Sequence, residues 1–223
     1  MTPSPLPPSS FLVGNDIVDL NAPHAGHRHH DARFMKRVFT DEEARRISAS
    51  ADPHRHLWSL WAAKETAYKI MVKVIPDIPA WPGRYETFLA GPMSEPGFLE
   101  GVVRSLRGSV VVRVYSGDGH VHCIGTSGRK ESLDEILHGT GQVLSGRGGT
   151  AAASATARRL IIEELSHESG ISSRRMCIVR PGGSRGLLHP LLLIDGKPSA
   201  VDISISHDGL FTAYARAGRG EGR

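Results

Sequence analysis

The sequence has few cysteine and aromatic residues and no long apolar run. Its 223 residues include two cysteines, and phenylalanine, tryptophan and tyrosine together make up 6%. Two cysteines are too few for a disulfide scaffold, and Cys123 and Cys177 lack the close spacing of a structural zinc site. The apolar runs, such as residues 191–194, are far shorter than the roughly 20 residues that a membrane-spanning helix needs. We therefore expect a protein of the cytoplasm, with reduced thiols and no membrane partner.

The modest net charge and the absence of repeats argue against two further classes of protein, nucleic-acid binders and solenoids. The formal net charge is +4, without the dense basic patches of a dedicated nucleic-acid binder, and no solenoid repeat is visible. Residues 1–10 lack the basic and apolar regions of a secretory signal, so we expect loose tails at 1–10 and 218–223. With 39% hydrophobic residues, the chain is long enough for one large domain or two small halves.

The first part of the chain alternates between strand and helix patterns. Thr40 and Glu43 form a capping-box pattern, which favours a helix at this point. A polar loop at 21–30 contains four histidines; a solvated loop is the favoured interpretation, with a metal site as the alternative. We predict a strand at 11–20, a helix that starts at the Thr40 cap within 33–47 and runs to about residue 48, and a clearer helix at 56–73. A proline-rich loop at 76–96 and strands at 101–114 and 120–125 follow.

A carboxylate interrupts the apolar face of the helix predicted at 56–73. At 100° per residue, Glu65 falls between Trp58 and Trp61, and Lys69 lies one turn further along. A carboxylate in an apolar stripe needs a cation, because its desolvation is costly. That cation is either Lys69, in the favourable i,i+4 order, or a metal ion.

The second part of the chain predicts a smaller α+β unit. Residues 139–157 are rich in glycine, alanine and serine and are interpreted as a linker. Asp208 and Gly209 mark a tight hairpin turn, with 201, 203 and 205 facing the core and 202, 204 and 206 facing away. We predict a helix at 156–166 and strands at 176–180, 191–194, 201–207 and 210–216.

Four motifs together resemble the phosphopantetheinyl transferases. They are G-N-D-I-V-D at 14–19, F-M-K-R-V-F-T-D-E-E at 34–43, W-A-A-K-E-T-A-Y-K at 61–69, and G-K-P followed by S-I-S-H at 196–207. Their order is that of the short holo-acyl-carrier-protein synthases, whereas the length is that of the surfactin-synthetase-activating type. The resemblance implies an α+β fold built as a pseudo-dimer of two small halves, at 11–138 and 158–217, and a monomer with one complete site.

The resemblance also implies an activity. The family transfers 4′-phosphopantetheine from coenzyme A to a serine of an apo acyl or peptidyl carrier protein, uses Mg²⁺, and releases adenosine 3′,5′-bisphosphate. By resemblance, Asp16 and Glu65 hold the metal and Lys69 contacts the phosphate under attack. Glu65, directly or through a metal-bound water, is the candidate that takes the proton of the serine. Two carboxylates suit Mg²⁺, which keeps several waters and also binds phosphate oxygens. The catalytic residues are thus Glu65 and Lys69, and the residues implied for coenzyme A are Lys64, Lys69, Lys197, Ser206 and His207.

Several assignments stay open at this stage. Lys64 either contacts a phosphate or is a solvated neighbour, and Arg180 and Arg185 are further candidates for the nucleotide. Val18 stands where many long-type members have a third acidic ligand. The alternative function is a catalytically silent module that binds coenzyme A or a carrier protein.

Overall fold

The computed structural model describes residues 10–91, 97–143, 149–183, 186–187 and 189–217. The chain mixes four helices with antiparallel sheets within these residues, which confirms the α+β class. Arg185, residues 1–9 of the tail expected at 1–10, and the tail expected at 218–223 lie outside the described residues. The helices are α1 (Ala32–Val38), α2 (Asp41–Ala49), α3 (Pro53–Val74) and α4 (Gly149–Ser169). The strands are β1 (Val13–Asp19), β2 (Glu86–Leu89), β3 (Phe98–Ser105), β4 (Gly108–Gly117), β5 (His120–Thr126), β6 (Ile136–Gln142), β7 (Met176–Val179), β8 (Gly182–Gly183), β9 (Gly186–Leu187), β10 (Leu191–Ile194), β11 (Lys197–Pro198), β12 (Ile203–Asp208) and β13 (Phe211–Ala217).

The larger sheet has the order β1-β5-β4-β3-β2, and α3 packs on it. Leu57, Ala63 and Ile70 of α3 are fully buried in the core that this helix shares with the sheet. The capping box is confirmed, since the Thr40 hydroxyl accepts from the Glu43 N–H and the Glu43 carboxylate accepts from the Thr40 N–H. The helix that starts at this cap, α2, ends at Ala49, close to the predicted end near residue 48, and α1 precedes it.

The second group of elements contains β6, β12 and β13 in one sheet and β7, β10 and β11 in another. Ile161 and Leu165 of α4 pack with Met176, Leu192 and Ile203 in a separate core cluster. The predicted hairpin is confirmed: β12 and β13 pair antiparallel across the turn at Gly209, whose φ is 52°.

Three local predictions were wrong. The predicted linker at 139–157 contains the end of β6 and the first part of α4, because the small residues Gly139 and Gly141 pair with β13 and Ala153 and Ala157 are buried. The predicted strand at 101–114 is two strands that turn between Ser105 and Gly108, and the predicted loop at 76–96 contains β2.

The two sheets meet where β12 lies beside β1. The Asp202 carboxylate accepts from the Val13 N–H at 2.7 Å, and the Ser204 hydroxyl accepts from the Asn15 N–H at 3.0 Å. Further along, the Asp208 carboxylate accepts from the Asp19 N–H at 2.9 Å. All three bonds join residues 189 positions apart, so the strands run parallel and in register. Side chains at 202, 204 and 208 therefore accept from the backbone N–H groups along the edge of β1. The face of this segment that we predicted to point away from the core is an internal interface.

Candidate active site

Asp16 is fixed at the point where α3 crosses β1. Gly14 permits this approach, because a Cβ there would lie 2.5 Å from the Thr66 carbonyl oxygen. Lys69 Nζ then reaches the Asp16 carboxylate at 2.7 Å and the Asn15 carbonyl at 2.9 Å. Burial raises the pKa of Asp16, and the positive charge of Lys69 opposes this rise. The sequence-predicted pair of Asp16 and Lys69 is thus brought together by a glycine that allows close packing.

Glu65 lies on α3 one turn before Lys69 and is half-buried. Burial, with a further contribution from the negative charge of Asp16, raises the pKa of Glu65 to about 7. Lys69 forms its ion pair with Asp16, so the i,i+4 pair with Glu65 that the sequence allowed is not the one that forms. Glu65 is therefore a carboxyl group that titrates near neutral pH.

Lys64 has a structural position, which corrects the implied contact with coenzyme A. Its side chain is buried, and its ammonium donates to Glu43 at 2.7 Å and to the carbonyls of Val38 and Pro82 at 3.0 and 3.2 Å. An ammonium has three N–H donors, so these acceptors use all of them. Both sequence interpretations of Lys64, as a phosphate contact and as a solvated neighbour, are therefore wrong.

Of the three residues implied for coenzyme A in the last motif, one reaches the same cleft as Asp16. His207 is exposed near the end of β12 and lines that cleft, and partial desolvation followed by the charge of Lys69 lowers its pKa. Ser206 faces β1 instead, where its buried hydroxyl accepts from Asn15 Nδ2 at 2.9 Å. Lys197 is exposed on β11, in a different sheet. The structure thus does not group Ser206 and Lys197 with His207.

The cleft has a volume of about 350 Å³ and is polar on several sides. Sequence reasoning missed three of its lining residues, His24, Arg28 and Asp208. The first two belong to the histidine-containing loop, in which no periodicity marks which residues point inward. Its charged and titratable lining residues are Asp16, His24, Arg28, Glu65, His207 and Asp208.

A second hollow of about 640 Å³ adjoins this cleft. Trp61 and Glu65 line both spaces. The second hollow is largely apolar, with the exposed Trp81 stacked under the Arg84 guanidinium at 4.3 Å and with Arg37 in its lining. Glu65 consequently stands at the junction of a polar cleft and an apolar one.

Asp16 and Glu65 fit a magnesium ion by the chemistry of their donors. Both carboxylates line the polar cleft, and the charge of Asp16 adds to the effect of burial in raising the pKa of Glu65, so a cation that binds both would relieve this repulsion. Mg²⁺ takes one or two protein carboxylates and fills its other positions with water and phosphate oxygens. Among the described residues there is no group of three or more histidine, cysteine, aspartate or glutamate side chains placed to hold a metal.

Comparisons with known proteins agree with the resemblance seen in the sequence. Residues 12–81 match the family model of the 4′-phosphopantetheinyl transferase superfamily, which confirms that resemblance over β1 to α3 and the segment after it. The match includes Asp16, Glu65 and Lys69 and supports phosphopantetheine transfer in general terms. A search of curated proteins finds no match. Within the described residues, no helix is both long and apolar enough to cross a membrane.

Proposed function

We propose that this protein transfers 4′-phosphopantetheine from coenzyme A to a serine hydroxyl of an apo acyl or peptidyl carrier protein, as a Mg²⁺-dependent holo-acyl-carrier-protein synthase. The observation that carries the proposal is the convergence of Asp16, Glu65 and His207 on one cleft, with Lys69 bonded to Asp16. These residues come from β1, α3 and β12, which are far apart in the sequence.

Asp16 and Glu65 would hold the magnesium ion, and Lys69 would bind the phosphate under attack. When bound, the metal ion would neutralise the diphosphate of coenzyme A. The ammonium of Lys69 lies 2.7 Å from the Asp16 carboxylate, so its charge is already inside the site. A fixed cation at this point stabilises the charge that develops on phosphate oxygens during transfer. His207, which lies on β12 across the interface with β1, would bind the 3′-phosphate.

Glu65 would act as the general base. The serine oxygen forms a bond to the phosphorus, the bond from that phosphorus to the leaving phosphate oxygen breaks, and the serine proton goes to Glu65. Adenosine 3′,5′-bisphosphate leaves with the electron pair of the broken bond.

The position of Glu65 also supports a reaction between two substrates. Coenzyme A would occupy the polar cleft, and the carrier serine would reach Glu65 from the apolar hollow that contains Trp81. Arg37 and Arg84 line that hollow, and their charges would favour an acidic surface on the carrier.

We propose further that the chain is a pseudo-dimer of two α+β halves and acts as a monomer in the cytoplasm; the arrangement of the elements supports the pseudo-dimer. In each half one long helix, α3 or α4, packs on antiparallel strands, and the halves meet at β1 and β12. Because β6 pairs with β13, the boundary between the halves would fall before Ile136 rather than at the expected 139–157.

The test is intact-mass spectrometry of several apo carrier proteins after incubation with this protein, coenzyme A and Mg²⁺. We expect the mass of one phosphopantetheine to be added, and no addition with a chelator or with a carrier whose serine is replaced by alanine. Coenzyme A binding without any transfer would instead support the silent binding module. No binding and no transfer would refute both functions.

A further inference from the structure

The loop at 21–30, which joins β1 to α1, is held firmly against α3. Ala25 is fully buried, and its carbonyl accepts from Trp58 Nε1 at 3.1 Å. At the start of the loop, His54 Nε2 lies 3.0 Å from the Leu20 carbonyl. The side chains that this loop presents to the polar cleft therefore start from a fixed backbone.

His24 is oriented by an acidic partner from the other half of the chain. Its Nε2 lies 3.2 Å from the Asp208 carboxylate, and its ring stands edge-on to Trp58 with 6.1 Å between the ring centres. A carboxylate bonded to one ring nitrogen fixes the orientation of an imidazole. The pair also joins the loop to the end of β12.

Arg28 is also held in a fixed position, at the start of the short helix Arg28–His30. Its Nε donates to the His24 carbonyl at 3.0 Å, and its Nη1 donates to Asp31 at 3.2 Å. Its guanidinium carbon lies 5.4 Å from the centre of the Phe34 ring. An arginine held in this way is suited to phosphate oxygens, because its planar donors lose little freedom on binding.

We propose that His24 and Arg28 bind the diphosphate of coenzyme A, an inference that rests on the proposed function. Both residues line the same cleft as Asp16 and Glu65, the carboxylates to which that function assigns the metal on the diphosphate. A metal on two carboxylates neutralises part of the diphosphate charge, and a histidine and an arginine supply further charge-assisted bonds. The histidine-rich loop thus contributes two specific ligands, and its other exposed histidines, His27 and His30, are solvated.

The test compares His24→Ala and Arg28→Ala with His30→Ala, a matched change at an exposed histidine of the same loop. Transfer kinetics are measured with coenzyme A and with 3′-dephospho-coenzyme A, and thermal unfolding confirms that each variant is folded. A charge-assisted bond contributes about 1.5–3 kcal/mol, so we expect the KM for each nucleotide to rise roughly 10- to 100-fold in the two variants. The KM for the carrier protein and the His30→Ala kinetics are expected to stay unchanged.

The outcomes separate this inference from the proposed function. If the wild-type protein transfers phosphopantetheine but both variants behave like His30→Ala, the inference is wrong and the function stands. A loss confined to coenzyme A, with normal kinetics for the dephospho form, would place His24 and Arg28 at the 3′-phosphate and also overturn the inference. Absence of transfer by the wild-type protein would refute the function itself. Arg28→Lys, which keeps the charge, is expected to recover part of the loss; no recovery would mean that Arg28 acts only through the loop backbone.

Discussion

Lys73 on α3 donates to both carboxylate oxygens of Asp202, the residue directly before β12, at 2.7 and 3.0 Å, and also to the Val13 carbonyl on β1 at 2.7 Å. The ammonium is buried, and burial lowers its pKa while the Asp202 charge opposes this. One side chain thus connects the helix that carries Glu65 and Lys69 to the strand that carries His207.

Replacing Lys73 should destabilise the whole fold. Lys73→Met leaves the Asp202 carboxylate without its ammonium partner, and breaking a buried ion pair in this way costs about 3–5 kcal/mol. Urea unfolding followed by circular dichroism measures the loss. Lys36→Met, at an exposed lysine of α1, is the control and should change the free energy of unfolding by less than about 0.5 kcal/mol. Equal stability of the two variants would refute this role of Lys73.

The buried Lys64 should be important for stability and not for binding coenzyme A. Lys64→Met leaves the Glu43 carboxylate buried without its cation, so we expect a loss of about 3–5 kcal/mol in the free energy of unfolding. At a temperature where the variant is folded, its KM for coenzyme A should equal that of the wild-type protein. A raised KM in the folded variant would show that Lys64 does reach the substrate.

Glu65→Gln should stabilise the metal-free protein at neutral and alkaline pH. The folded-state pKa of Glu65 is raised to about 7, so its contribution to stability is complete below the unfolded-state value of about 4.5 and is lost as the pH rises through 7. Glutamine does not titrate, so the melting temperature of the variant minus that of the wild-type protein should increase between pH 5 and pH 8. Melting curves in a chelator measure this difference. Glu131→Gln, at an exposed glutamate, is the matched control for the removal of a carboxylate.

Asp16→Asn should reduce transfer at least about 100-fold at saturating carrier, because even outer-shell changes at metal sites cost 10- to 100-fold. Excess Mg²⁺ should restore part of the rate if the loss comes from weaker metal binding. The measurement is the initial rate of mass gain across a Mg²⁺ titration, with Glu131→Gln as the control. Full activity of Asp16→Asn would remove Asp16 from the metal site.

Much of the fold could be predicted from local sequence patterns. The remainder depends on contacts between residues that are far apart in the chain, which such patterns do not show. The Thr40 capping box, α3 and the hairpin at Gly209 depend on neighbouring residues, so sequence patterns suffice for them. The linker prediction failed because small residues suit both a flexible segment and a closely packed strand or helix, and only the partners of Gly141 and Ala153 decide between them.

The same limit applies to the candidate site. The motifs located Asp16, Glu65, Lys69 and His207, which the structure places together around the cleft. The partner of Lys64 is 21 residues earlier in the chain, where helical periodicity gives no information. For His24, the partner is Asp208 in the other half, so no local pattern could identify the pair.

The parallel contact between β1 and β12 has a consequence for the order of folding. β1 is synthesised before β12, and the Asp202, Ser204 and Asp208 side chains that bond to its edge follow 189 residues later. Closing so long a loop costs entropy that only the finished contact repays, and non-local contacts of this kind slow folding. On the ribosome, the strand that carries Asp16 therefore keeps an unpaired edge until β12 emerges, and the site is assembled only after β12 has been synthesised.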